Sequence, residues 1–221
     1  MSLALGRLAV GLPEAPAERF AAILAACPRI EINAGVPYFR SSFPPAAFFV
    51  VEEGFLVVRA SAPAGPRMMI TCEAGSGALV LPPSPEQMLF GLGTSRLVVV
   101  SEDVRDRLLA VPGAAQVVFE HLAATLARNE EALSNFAFTR HVDRVRWKLL
   151  QLGRRYGHVA RDGIRIDFPV SHTVLAEMIG SSRETVTRAL DELQRTGFVA
   201  RNGHTYRLLV SPKSFLGASH A

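Results

Sequence analysis

Cysteine is nearly absent: the chain has 2, Cys27 and Cys72, and no CxxC pair. That excludes a disulfide framework, a self-contained tetrathiolate metal site and an iron–sulfur cluster held by about four thiolates, and it points to a reducing, cytoplasmic setting. Histidine is missing from residues 1–120. A metal-dependent enzyme on a cupin-like barrel needs histidines and carboxylates converging from strands, so that class is excluded too. No nucleophile elbow or phosphate loop occurs, and neither catalytic nor metal-ligating residues are expected. Long hydrophobic runs are also absent: nowhere do about 18 apolar residues follow one another. The opening MSLALGRLAVGLPEAPAERF lacks a clean apolar core followed by a cleavage site, so neither secretion nor a membrane partner is expected.

What is present is a chain of 221 residues, 49% hydrophobic, enough for one large or two modest cores. The net charge of +4 hides an asymmetry. Residues 1–138 carry ten Arg against thirteen Asp plus Glu, hence −3, and residues 139–221 carry fourteen Lys plus Arg against seven acids, hence +7. A basic second half is what a polyanion partner requires, although a solvated basic surface would look the same.

From residue 30 to about 101 the chain reads as short strands with turns. FFVVEEGFLVVRA (48–60) carries two β-rich runs around Glu52, Glu53 and Gly54, which reads as a hairpin. RMMITCEA and SRLVVVSE are further strands, and LPPSP (81–85) cannot be a central one. This spacing predicts a small antiparallel sandwich or barrel. Phe39, Phe43, Phe48, Phe49, Met68, Met69, Met88 and Phe90 could fill its core or line a cavity.

Between Pro112 and Arg140 the period becomes helical. Ala115, Phe119, Leu122, Leu126, Asn129, Leu133 and Phe136 follow alternating four- and three-residue steps, a heptad seam with one polar member. Two readings compete: a helix packed on its own sheet, or a parallel two-stranded dimer in which Asn129 faces Asn129 and fixes register.

TRHVDRVRWKLLQLGRRYG (139–157) is a basic amphipathic helix with Val142, Val145, Leu149 and Leu152 inward. IRIDFPVS reads as strand and turn, Ser171 caps a helix VLAEMIG, and Gly180 supplies a turn into SSRETVTRAL. Ser181 and Glu184 have capping-box spacing. Two strands about an Asn202–Gly203 turn close a winged helix-turn-helix plan. On the second helix Arg183, Glu184, Thr187 and Arg188 share one face, and Val186, Ala189, Leu190 and Leu193 take the other. Such a helix enters the major groove, where Arg forks onto guanine and a carboxylate accepts from cytosine N4. The competing reading is a surface helix on which Glu184 and Arg188 merely pair.

With these residues in view, the chain resembles the Crp/Fnr family of bacterial transcription regulators. LAEMIGSSRETVTRALDELQRTGFV (175–199) carries the resemblance, with looser support from FFVVEEGFLVV and NFAFTRHVDRVRWKLLQL (135–152). It implies an α+β chain: an N-terminal antiparallel, jelly-roll-like β-roll over 1–111, a long dimerisation helix over 112–138 and a C-terminal winged helix-turn-helix over 139–221. It implies double-stranded DNA and a second copy as partners, with RNA polymerase as a further one. Arg183, Glu184 and Arg188 match the family's base-reading positions, Thr187 sits where some branches use serine to choose the base, and Ser182 and Thr185 match phosphate contacts. The half-sites of an inverted repeat should then contain GTG/CAC-like steps.

One region departs from the family pattern. Nucleotide-binding relatives carry a Gly-Glu pair, a short helix and Arg-Ser or Arg-Thr. EAGSGALVLPPSPEQMLFGLGTSRLVVV (73–100) has no Gly-Glu, and Arg96 comes too late, inside a strand. Glu130, near where relatives offer hydroxyls to the purine, makes an anion less welcome. No cyclic nucleotide or other cofactor is expected. The alternative is a β-roll that senses an unidentified small molecule or haem, with His121 as the first histidine available.

Overall fold

The structure is a computed structural model that describes residues 8–61 and 67–210, without the side chains of residues 132 and 133. The chain divides into two compact units, Met1–Ala64 with Thr71–Glu130, and Gly65–Ile70 with Glu131–Ala221.

The first unit opens with helix α1 (Glu14–Ala25) and continues through eight strands: β1 (Arg29–Ile32), β2 (Pro37–Tyr38), β3 (Phe48–Glu53), β4 (Phe55–Ser61), β5 (Met68–Gly75), β6 (Leu79–Val80), β7 (Gln87–Gly91) and β8 (Ser95–Val100). They form two four-stranded sheets, β1-β8-β3-β6 and β2-β7-β4-β5, whose described pairings are antiparallel. This is the expected β-roll, with LPPSP outside any strand.

The hairpin expected over residues 48–60 does not form. β3 pairs with β8 and β6, whereas β4 pairs with β7, so the chain changes sheets at Gly54. The run FFVV is continuous rather than alternating because β3 is buried on both faces. Phe48 and Val50 join a core with Phe20, Leu24, Val98, Val100 and Leu108. Phe49 and Val51 join the core between the sheets, with Ile32, Leu56, Leu89 and Leu97. Gly54 makes the crossing possible at φ +92, where a Cβ would lie 2.2 Å from Ser95 Oγ. Among the cavity candidates, Phe43 stacks on Phe49 at 4.9 Å between ring centroids, and the Arg59 guanidinium lies 4.2 Å over the Phe90 ring.

Helix α2 (Glu102–Leu109) leads into the long α3 (Ala114–Ser134). Ala114 and Val117 are buried in the first unit, while Phe119, Leu122 and Leu126 on the other side are 66%, 39% and 61% exposed. One stripe of the helix therefore packs on the first unit, and Phe119, Leu122 and Leu126 of the seam lie bare in the single chain. Asn129 is exposed as well, and Leu133 lies outside the described side chains. A short 3-10 turn (Asn135–Ala137) follows, with Phe136 40% exposed.

The second unit contains α4 (His141–Tyr156), a hairpin of β9 (His158–Ala160) and β10 (Gly163–Ile166), α5 (His172–Ile179), α6 (Arg183–Arg195), and the wing strands β11 (Val199–Asn202) and β12 (Thr205–Leu208). The sheet order is β11-β12-β10-β9. Val142, Val145, Leu149 and Leu152 are buried as their spacing requires. Strand β9, in a polar stretch without alternation, was not legible in the sequence. The wing turn falls one residue later than expected: Asn202 pairs with Thr205, so Gly203, at φ +59, and His204 make the turn. No single helix among the described residues is long and apolar enough to cross a membrane.

Candidate nucleic-acid interface

The interface is built at the junction of α5 and α6. Ser171 begins α5 by accepting the Val174 N–H at 3.2 Å. Gly180 ends it in the left-handed region at φ +61, with its N–H on the Ala176 carbonyl. A Cβ at Gly180 would stand 2.7 Å from the Phe136 ring, so this tight turn admits glycine on two grounds.

The capping box expected between Ser181 and Glu184 is not the one that forms. Ser181 belongs to the closure of α5: its N–H reaches the Ala176 carbonyl at 2.9 Å, and its hydroxyl meets His141 Nδ1 at 3.1 Å. The cap of α6 is Ser182, one residue on, in extended backbone, whose Oγ accepts the Thr185 N–H at 3.1 Å. The shift follows from chemistry, because Ser181's groups are already engaged.

This cap sets the rotation of α6. Val186, Ala189, Leu190 and Leu193 are buried, and Arg183, Glu184 and Arg188 are exposed. No ion pair joins Glu184 to Arg188 among the described residues, so the protruding face does not neutralise itself. Glu184's own backbone N–H and then the Ser182 hydroxyl hold its carboxyl below the usual range, and it stands as an anion able to accept from a base amino group. The unsatisfied N–H groups at the start of α6, beside Ser182 and Thr185, carry partial positive charge suited to phosphate.

Thr187 is placed differently from its neighbours. Half-buried, it donates its hydroxyl proton to the Arg183 carbonyl at 2.9 Å, and its oxygen lies 2.8 Å from His172 Nδ1. A hydroxyl has a single proton, so His172 Nδ1 must be the donor to Thr187. Nε2 of the same ring is then an acceptor, and it meets Nη1 of Arg201 on wing strand β11. Burial, and then the Arg201 and Arg183 guanidiniums, lower the pKa of His172, which favours this neutral form. His172 and Arg201 did not stand out in the sequence. The only available signal was position: His172 directly follows the Ser171 cap, and Arg201 directly precedes the wing turn.

Elsewhere, Arg96 lies in β8 and pairs with Glu53 at 3.3 Å and Glu52 at 3.8 Å. His121 is half-buried on α3, its pKa lowered by burial and then by Arg128. No cluster of His, Cys, Asp and Glu able to hold a metal occurs among the described residues.

A winged helix-turn-helix with an exposed arginine-glutamate-arginine face on its second helix is the architecture of a DNA-binding regulator, and comparison with known proteins agrees. Residues 143–212 match the Crp-like helix-turn-helix domain. A CRP-like cAMP-activated global transcriptional regulator of Mycobacterium tuberculosis is 26% identical over 79% of this chain and 80% of its own. The global nitrogen regulator of Synechococcus elongatus is 34% identical over 45% of each chain. Among solved structures, CooA from Carboxydothermus hydrogenoformans superposes with a TM-score of 0.70 at 14% identity, covering 90% of both chains. FixK2 from Bradyrhizobium japonicum gives 0.69 at 18% identity, over 89% of this chain and 98% of its own. Residues 143–212 are thus a Crp-like helix-turn-helix domain, and over most of its length the chain is similar to transcription regulators of the CRP/FNR type.

Proposed function

We propose that this regulator acts as a homodimer on an inverted repeat, one α6 helix per half-site, organised as a β-roll, a dimerisation helix and a DNA-binding domain. The observation that carries this is the face of α6: Arg183, Glu184 and Arg188 project together from a helix whose other side is anchored in the core. Arg183 and Arg188 read guanine, Glu184 reads cytosine, and Ser182 and Thr185 meet phosphate. Thr187 lies on the same face, with its hydroxyl engaged by the Arg183 carbonyl and His172.

One such helix buries too little surface for tight specific binding, so two half-sites must be engaged together. The seam of Phe119, Leu122, Leu126, Asn129, Leu133 and Phe136, exposed wherever its side chains are described, supplies the joint. Sedimentation of the chain should show a dimer at micromolar concentration, and charged residues at Leu126 and Leu133 together should give monomers with lost affinity for the repeat. A wild-type monomer, or a dimer indifferent to that double change, sinks the proposal.

The mycobacterial relative is named as cAMP-activated. In this chain the corresponding arginine is missing, and Arg96 is paired with Glu52 and Glu53. A cyclic phosphate would be buried without its charge partner, a costly arrangement. Calorimetric titration with cyclic AMP and cyclic GMP should therefore give no binding, and micromolar affinity for either would overturn this.

A further inference from the structure

Nothing in base reading alone accounts for the bridge from α6 to the wing. It runs from the Arg183 carbonyl through the Thr187 hydroxyl and the His172 ring to the Arg201 guanidinium, joining α6, the start of α5 and β11. Arg201 is exposed, and no carboxylate pairs with it among the described residues. It lines a pocket of about 220 Å³ on the wing together with Arg165, Asn202, Thr205 and Arg207, the last paired with Asp162, and with Asp167 as the pocket's carboxylate. A long flexible arginine loses side-chain freedom when it binds a ligand, and an anchor that fixes it beforehand reduces that loss. His172 is such an anchor, because its tautomer is dictated by Thr187 and leaves Nε2 as an acceptor for the guanidinium.

Resting on the reading of α6 as the DNA-recognition helix, we propose that His172 is a positioning residue for DNA binding. It fixes the wing's Arg201 beside α6 so that the remaining N–H groups of Arg201 meet a backbone phosphate flanking the base pair read by Arg183. Thr187 then serves the site mainly by setting the His172 tautomer.

The test is fluorescence anisotropy of the full chain on a selected duplex and a random duplex across a salt series, with thermal melting of each variant alongside. R201A should weaken both duplexes equally and lower the salt slope by about 1, the signature of a lost phosphate contact. H172A removes no charge from the neutral site, yet it should lower the slope to the same extent, and H172A/R201A should match either single variant. H172Q, whose Oε1 can replace Nε2 as the acceptor, should keep the wild-type slope. H172N offers an amide N–H to Thr187 but no acceptor to Arg201, so it should behave like R201A even if H172A fails to fold. An unchanged slope in H172N, or additive losses in the double variant, overturns the role of His172. A wild-type chain that selects no duplex sequence overturns the DNA reading beneath it.

Discussion

The arginines of the β-roll sheet and those on α6 do opposite work in this protein. In the β-roll, Arg29 and Arg96 are drawn onto Glu52 and Glu53 along neighbouring strands, and their charge is neutralised where it stands. On α6, Arg183 and Arg188 stand in solvent without a carboxylate partner among the described residues. Of these pairs Arg96–Glu53 is exposed and worth only about 0–1 kcal/mol, whereas Glu52 is largely buried between its two arginines. The consequence of the pairing is functional: a guanidinium already facing two carboxylates is poorly placed to receive an anion. The same residue type is thus left unpaired on α6 among the described residues and neutralised in the β-roll.

The two units also differ in what holds them, and mutations should separate them. The largest effect is expected at Phe49, fully buried between the β-roll sheets. F49A should cost about 3–5 kcal/mol in chemical denaturation, through lost burial and the cavity left behind. A cost near that of a surface change would mean that the two-sheet core is not packed as described. A smaller effect is expected at the cap of α6. S182A should cost about 0.5–2 kcal/mol, because the Thr185 N–H loses its acceptor. S181A should cost less, since its hydroxyl contact to His141 is exposed. The reverse order would restore the Ser181 capping box.

Legibility followed the locality of the interactions. The second unit could be read almost completely, because its determinants lie within a few residues of each other. The Ser171 cap, the Gly180 turn and the 3.6-residue period of Val186, Leu190 and Leu193 all act inside one helix or turn. The cap of α6 was misplaced by one residue because Ser181 is claimed by Ala176 and by His141, 40 residues away. In the β-roll the element types were legible and their pairing was not. FFVVEE and FLVVRA look like a hairpin locally, but β3 finds β8 and β4 finds β7. That choice is made by a core assembled from both sheets, which no short stretch of sequence encodes. The His172–Arg201 contact joins residues 29 apart in sequence and is illegible there for the same reason.

The central claim is that the exposed face of α6 reads DNA sequence, and selection from a pool of random duplexes by the wild type and by R188A tests it most directly. The wild type should enrich an inverted repeat whose half-sites contain GTG/CAC-like steps, because two arginines and one glutamate demand G and C. R188A should lose about 1–3 kcal/mol on that site and relax its preference at one base pair per half-site. Failure of the wild type to enrich a repeat, or an equal loss by R188A on the selected and random duplexes, would contradict the claim and leave Arg188 a phosphate contact at most.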